Sequence, residues 1–317
     1  MSIAVLGEAL IDFIEDAEGA YRPHLGGSPY NVAIGLARQG VDVAYLSPLA
    51  RDVFGDEIAQ SLSREGVRTP IERRSAWPTS LALVSIDEQG LPAYTLYREG
   101  IADKDTTFAE VRDNLPKDLT LFHTGSLAIT PSQLPKIRRL FEYLRANDVL
   151  VSVDINIRLG ASVDTQAYLD GVMSLMGVCD IVKASDEDLV ALGLDENPLI
   201  AAEKLFDMTS GALLIMTEGK GGAHMFAAGC HLQTPAYPVA QVADTIGAGD
   251  TFHAAFLASL NRSHALHSGL SRLADATLEA ALDYACAAAA INVSRVGCVP
   301  PTRAEVETFI QSTKRNI

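Results

Sequence analysis

Val149-Leu150-Val151-Ser152-Val153-Asp154-Ile155-Asn156 is a short, nearly continuous apolar run that ends on polar residues. A strand with one wet face would alternate apolar and polar residues, whereas a run like this one needs cover on both faces. Working outward, Ile3–Gly7, Val41–Leu46, Leu119–Gly125, Cys179–Ser185 and Ala212–Gly219 read the same way, and most of them run into polar or Gly-containing turns. Helical segments lie between them. The expected fold class is therefore α/β, with a mostly parallel sheet covered by helices.

One region departs from this rhythm. Thr79–Gly100 (TSLALVSIDEQGLPAYTLYREG) holds two alternating runs around the turn Asp87–Gly90, which is a hairpin pattern and not a strand–helix–strand pattern. The segment after the first strand, Phe13–Gly27, offers more strands of that kind. A small antiparallel β lid is expected, built from insertions within about residues 12–30 and 77–105 of a single domain spanning 1–317. A flap of this type covers a site.

The 317 residues carry a formal net charge of −15, and 48% of them are hydrophobic. So acidic a chain lacks the basic surface that nucleic acid or an anionic membrane requires. No stretch is apolar over the roughly 18 residues of a membrane span. The start, MSIAVLGEALIDFIED, has no basic segment and reads as a strand, not a leader. Cys179, Cys230, Cys286 and Cys298 make no CxxC pair, and the seven histidines make no HExxH. Reduced thiols in a cytoplasmic protein are expected.

The chemistry concentrates at Ala243-Asp244-Thr245-Ile246-Gly247-Ala248-Gly249-Asp250-Thr251-Phe252. Phe252, Ala255, Phe256 and Leu260 follow at helical spacing, so a Gly-rich turn feeds a helix whose first turn carries a carboxylate. Backbone N–H groups and the helix dipole make such a turn an anion hole. An aspartate there can take a proton from a hydroxyl attacking a phosphoryl group. An aspartate that only charge-matches the helix start would look the same locally.

Asp244–Phe252 resembles the C-terminal signature of the ribokinase-like (PfkB) carbohydrate kinases, and Leu25-Gly26-Gly27-Ser28-Pro29-Tyr30-Asn31 resembles their other signature. Within that family the chain is most similar to bacterial fructokinases, and the similarity runs from Gly7 to about Pro301. The resemblance implies a ribokinase-like three-layer core and an ATP-dependent transfer of phosphate to a sugar hydroxyl. Asp250 would be the base, and Gly247, Ala248 and Gly249 would hold the transferring phosphate. Asp12, Gly27, Asn31, Tyr97, Arg98 and Arg158 would contact the sugar. Tyr97-Arg98-Glu99-Gly100 with Ala102-Asp103, and Asp154-Ile155-Asn156-Ile157-Arg158, are the segments similar to fructokinases. An exposed Arg98 paired with Glu99 or Asp103 is the plainer alternative.

On the nucleotide side the resemblance implies Lys183, Ser185, Thr217, Gly219, Gly222 and Asn292, with Asn292 against the adenine. Asp188 would handle Mg²⁺ through water, although Ser185-x-x-Asp188 equally reads as a capping box. Asp244, Ile246 and Ser294 would border a monovalent cation, for which K⁺ is the candidate. His253, three residues after Asp250, is given no role.

Fructose is the first-choice acceptor, then 2-keto-3-deoxygluconate, then ribose. The partners expected are the sugar, ATP and a second copy joined through the lid. Other classes are weighed against this reading. A P-loop enzyme would need GxxxxGK[ST], which is absent. A dinucleotide-dependent oxidoreductase would need GxGxxG where Gly7-Glu8-Ala9 stands. A non-catalytic sugar- or nucleotide-binding relative would not need the intact Asp250 and its glycines.

Read locally, Ser28-Pro29 is an N-cap followed by Pro at the first helical position, and Gly40 is a natural stop.

Overall fold

A computed structural model of the chain describes residues 1–16, 18–86, 92–268, 270 and 273–314. Among them the strands are β1 (Ser2–Val5), β2 (Leu10–Glu15), β3 (Tyr21–Gly26), β4 (Asp42–Tyr45), β5 (Ser80–Ile86), β6 (Pro92–Tyr97), β7 (Leu119–Gly125), β8 (Leu150–Asp154), β9 (Ile181–Ser185), β10 (Leu213–Thr217), β11 (Ala223–Ala227) and β12 (Cys230–Thr234).

The large sheet runs β12-β11-β10-β9-β8-β7-β1-β4. From β10 to β4 every pairing is parallel, and β11 and β12 close one edge as an antiparallel hairpin. Alternate residues of β1 show why the apolar runs are continuous. Ile3 and Val5 pack into one core cluster with the helices Ser28–Arg38, Ala248–Arg262 and Asp275–Val293. Ala4 and the following Leu6 pack into the other, with the helices Leu134–Arg145 and Thr165–Met173. Two apolar faces on one sheet give the three layers.

The helices Ser28–Arg38 and Ala248–Arg262 approach so closely that a Cβ at Gly35 would lie 2.7 Å from Ala254 Cβ. Gly40, at φ 80°, ends the first of them as the sequence suggests. Its start differs from expectation. The N-cap is Gly27, and the Ser28 side chain does not cap the helix.

The small sheet runs β3-β2-β5-β6. Its outer pairs are antiparallel, and its central pair β2–β5 is parallel. The Asp87–Gly90 turn lies outside the described residues. The chain leaves the core for this sheet at Glu8-Ala9, directly after β1, and returns from it at Arg98–Asp103. No helix among the described residues is long and apolar enough to cross a membrane.

Candidate active site

Parallel strands bring their C-terminal ends to one edge, where open α/β sheets place their ligands. Glu8, Asp154, Ser185 and Thr217 stand at the ends of β1, β8, β9 and β10. The Gly-rich turn meets that edge from the opposite element. Gly247 is the N-cap at φ 70°, a left-handed conformation, and a Cβ there would lie 2.1 Å from Cys298 Sγ. No side chain caps the helix Ala248–Arg262, so its start stays available to an anion.

Asp250 lies in the first turn of that helix and is 8% exposed. Its two carboxylate oxygens are held from the first helix. Ser28 Oγ donates to Oδ1 at 2.6 Å, and Asn31 Nδ2 donates to Oδ2 at 2.8 Å. This explains why Ser28 does not cap its own helix. The hydroxyl turns across to Asp250 instead. The sequence pattern for a cap was satisfied locally and misassigned the side chain. Asn31 is buried at the same place, so two residues of the N-terminal signature meet the catalytic candidate of the C-terminal one.

The glycines before the first helix have separate steric reasons. A Cβ at Gly26 would lie 2.1 Å from Asp12 Oδ2. Gly27 has φ 109°, and its Cβ would lie 2.5 Å from the Glu8 carbonyl oxygen. Asp12, on β2, is therefore tucked against Gly26. Burial raises its pKa to about 6, Arg158 pulls it down, and the like charge of Asp250 pushes it up. These three charges share one region. Arg158 itself is exposed, and its Nη1 donates to the Ile157 carbonyl at 2.9 Å. Tyr97 closes β6 and is 56% exposed.

Arg98 corrects the plainer expectation of an exposed, weakly paired arginine. It is 7% exposed and donates through Nη1 and Nη2 to both oxygens of Asp103, each at 3.0 Å. Nη1 also donates to Ser80 Oγ at 2.8 Å. It anchors the return of the small sheet to the core.

Under the glycines sits a buried ion pair. Asp154 and Lys183 are register partners on β8 and β9, and Lys183 Nζ donates to both Asp154 oxygens, at 3.0 and 2.9 Å. A Cβ on Gly249 would come 3.3 Å from that ammonium, so the charge lies against the anion hole. Burial works against a charged Lys183, but Asp154, Asp188 and Asp250 outweigh it and raise its pKa. The ammonium stays charged.

Ser185 and Asp188 form a full capping box: Ser185 Oγ accepts from Asp188 N, and Asp188 Oδ2 accepts from Ser185 N. Asp188 Oδ1 accepts from Ile157 N at 2.7 Å. Both oxygens are engaged, and among the described residues no group of three metal-ligating side chains is assembled. With both oxygens bonded to backbone N–H groups, Asp188 is placed to meet an ion through water and not as a direct chelator.

Thr217 ends β10, and Gly219–Gly221 form a single 3₁₀ turn after it. Gly222 has φ 99°, and a Cβ there would strike the Thr234 carbonyl at 2.1 Å, so the turn lies flat against β12. Asn292 is fully enclosed. Its Nδ2 donates to the Ile246 carbonyl at 2.9 Å, and its Oδ1 accepts from Val299 N at 3.0 Å. This corrects the expectation of an adenine-facing amide: Asn292 clips two loops together. Asp244 does the same, accepting from Ile246 N at 3.0 Å and Gly297 N at 2.9 Å. Ser294 Oγ donates to the Ile291 carbonyl.

His253 is fully buried, with Nε2 2.8 Å from Ser152 Oγ, which lies 3.2 Å from His123 Nδ1. Burial, then Lys183, drops His123 to about 3, and burial, then His123, holds His253 well below the usual imidazole range, so both rings are neutral. They fill the core behind the site.

Residues 1–305 match the pfkB family carbohydrate kinases. A fructokinase of Klebsiella pneumoniae is 32% identical over 91% of this chain and 92% of its own. The crystal structure of a fructokinase from Xylella fastidiosa with bound ATP superposes with a TM-score of 0.88 at 26% identity, covering 99% of both chains. A fructokinase from Vibrio cholerae O395 with fructose, ADP and calcium ion bound superposes with a TM-score of 0.85 at 25% identity, covering 98% of this chain and 99% of that one. The chain belongs to the pfkB family of carbohydrate kinases.

Proposed function

We propose that this chain is an ATP-dependent fructokinase. One observation carries the reading: Asp250 is buried at an uncapped helix start, oriented by Ser28 and Asn31, with the Lys183 ammonium against Gly249. The carboxylate fits the work of a base, and the glycine turn with its lysine fits a phosphoryl group in transfer. Identity to a Klebsiella fructokinase and superposition on a fructose-bound one support fructose as the acceptor.

In this mechanism Asp12, Gly27, Asn31, Tyr97 and Arg158 bind the sugar. The Asn31 amide moves from Asp250 to a sugar hydroxyl, which frees Oδ2 for the proton of the attacking hydroxyl. Ser28 keeps Oδ1 in place. Lys183 and the amides of Gly247–Asp250 stabilise charge spreading over the phosphoryl oxygens, while Ser185, Thr217, Gly219 and Gly222 border the rest of ATP. Mg²⁺ would come with the nucleotide's phosphates, and Asp188 would meet it through water. Asp244, Ile246 and Ser294 border a K⁺ site in the same reading. The small sheet acts as a lid over the sugar, and its outer strands β3 and β6 offer edges to a second copy. The enzyme works in the cytoplasm.

The exposed Arg158 guanidinium gives 2-keto-3-deoxygluconate, a carboxylate, a second claim. A panel of fructose, 2-keto-3-deoxygluconate and ribose with Mg·ATP, read by ADP release, decides. Fructose should give the highest kcat/KM. Preference for the keto acid overturns the substrate, and sugar binding without ADP release from any of them overturns the enzyme.

A further inference from the structure

Glu8 stands where the chain leaves the core for the small sheet, and Arg98 stands where it comes back. Both are buried, at 1% and 7% exposure. Each has one polar atom without a partner: Glu8 Oε2, an acceptor, and Arg98 Nε, a donor. Buried polar groups are nearly always satisfied, so two complementary orphans at one hinge call for a reason.

We propose that Glu8 is a positioning residue for sugar binding, whose carboxylate accepts the Arg98 Nε–H when the lid closes and so latches the small sheet at both of its connections to the core. The inference rests on the kinase reading and deepens it at the lid.

The surroundings suit a pair that changes state. Arg98 keeps Asp103 and Ser80 on its outer nitrogens, which leaves Nε as the group free to gain a bond. Glu8 and Arg98 already feel each other's charge, and Asp103, Ser126 and Tyr45 are the other polar groups beside them. Small hollows flank Asp103 on both sides, one lined by Gly7, Lys104 and Lys136, the other by Tyr45, Thr79 and Ala102. Asp103, which holds the guanidinium, is thus loosely packed on two sides. Burial raises the Glu8 pKa to about 7 against the lowering pull of Arg98, so a direct bond from Nε would add to an attraction already present. The new bond would be charge-assisted, which is stronger than a neutral one.

The test uses the full chain with fructose and Mg·ATP. Glu8→Gln should raise the sugar KM about 10-fold, leave the ATP KM within about two-fold and spare kcat more than the sugar KM. Arg98→Lys loses the Asp103 and Ser80 bonds as well as Nε and should raise the sugar KM further, and adding Glu8→Gln to it should cost little more than Arg98→Lys alone, because the two groups act as one pair. Hydrogen exchange adds a second readout. Fructose should protect Leu10–Glu15 and Pro92–Tyr97 in the unmodified chain and protect them less in Glu8→Gln. Without ligand, Glu8→Gln should shift exchange in those strands no more than in the core strands Leu119–Gly125 and Leu150–Asp154. An unaltered sugar KM, an equal rise in both KM values, or a ligand-free change in exchange confined to the lid strands overturns the latch. An unmodified chain that turns over no sugar overturns the kinase reading instead, and the ligand-free exchange still judges the latch.

Discussion

Ser28 Oγ donates to Asp250 Oδ1 at 2.6 Å across 222 positions of sequence. The bond joins the first turns of two packed helices and fixes the carboxylate that faces the anion hole.

Ser28→Ala should therefore leave a folded enzyme whose kcat falls about 10-fold, since a hydrogen bond to a charged group is worth roughly 1.5–3 kcal/mol. The sugar KM should move little. Steady-state kinetics at saturating ATP separate the two, and an unchanged kcat would show that the Ser28 bond does not orient the base.

Asp250→Asn keeps the shape and removes the proton acceptor. Turnover should drop roughly 10²–10⁴-fold, with thermal stability close to that of the unmodified chain. Wild-type turnover would remove Asp250 from the chemistry.

The Asp154–Lys183 pair should respond differently to single and double changes. Asp154→Leu leaves an uncompensated buried ammonium and should destabilise by roughly 3–5 kcal/mol. Combining it with Lys183→Met should recover much of the stability and none of the activity, because the charge under Gly249 is gone. Denaturation curves and kinetics on the three variants check this, and recovered turnover in the double variant refutes the role of the lysine.

Glu8 gives the fold a pH dependence of known sign. Burial raises its pKa from 4.5 to about 7, against the lowering pull of Arg98. A raised carboxyl favours the folded chain while protonated, so its contribution is whole below about 4.5 and is lost as pH rises through about 7. Glu8→Gln carries no charge at any pH. Its stability relative to the unmodified chain should rise between pH 5 and 8, by roughly 3 kcal/mol at most. A difference that falls over that interval would contradict the buried carboxyl. Stability gained here alongside weaker sugar binding would be a local trade between the two.

The layers were legible because strands covered on both faces must be apolar throughout, as Ile3, Ala4, Val5 and Leu6 show by dividing between two cores. The Gly-Ala-Gly-Asp turn was legible because its backbone demands small residues and its helix needs an uncapped start. Contacts between distant segments were not. Ser28-Pro29 satisfies a local capping rule, and nothing in that window records Asp250. Asn292 reads as a polar residue on a small-residue helix, yet its amide closes over Ile246 and Val299. Arg98 looks like a surface arginine until Asp103 and Ser80 enclose it. The β11–β12 hairpin escaped notice because β12 is a half-wet edge strand whose Cys-His-Leu-Gln-Thr carries little apolar signal.

Gly35 touches no substrate, yet its missing side chain sets how near Ala254 can come. A lone methyl at that spot would act as a shim between two rods, prising Ser28 from its aspartate two turns away. Gly35→Ala should therefore slow turnover without touching any reacting group, by widening the gap that Ser28 Oγ bridges.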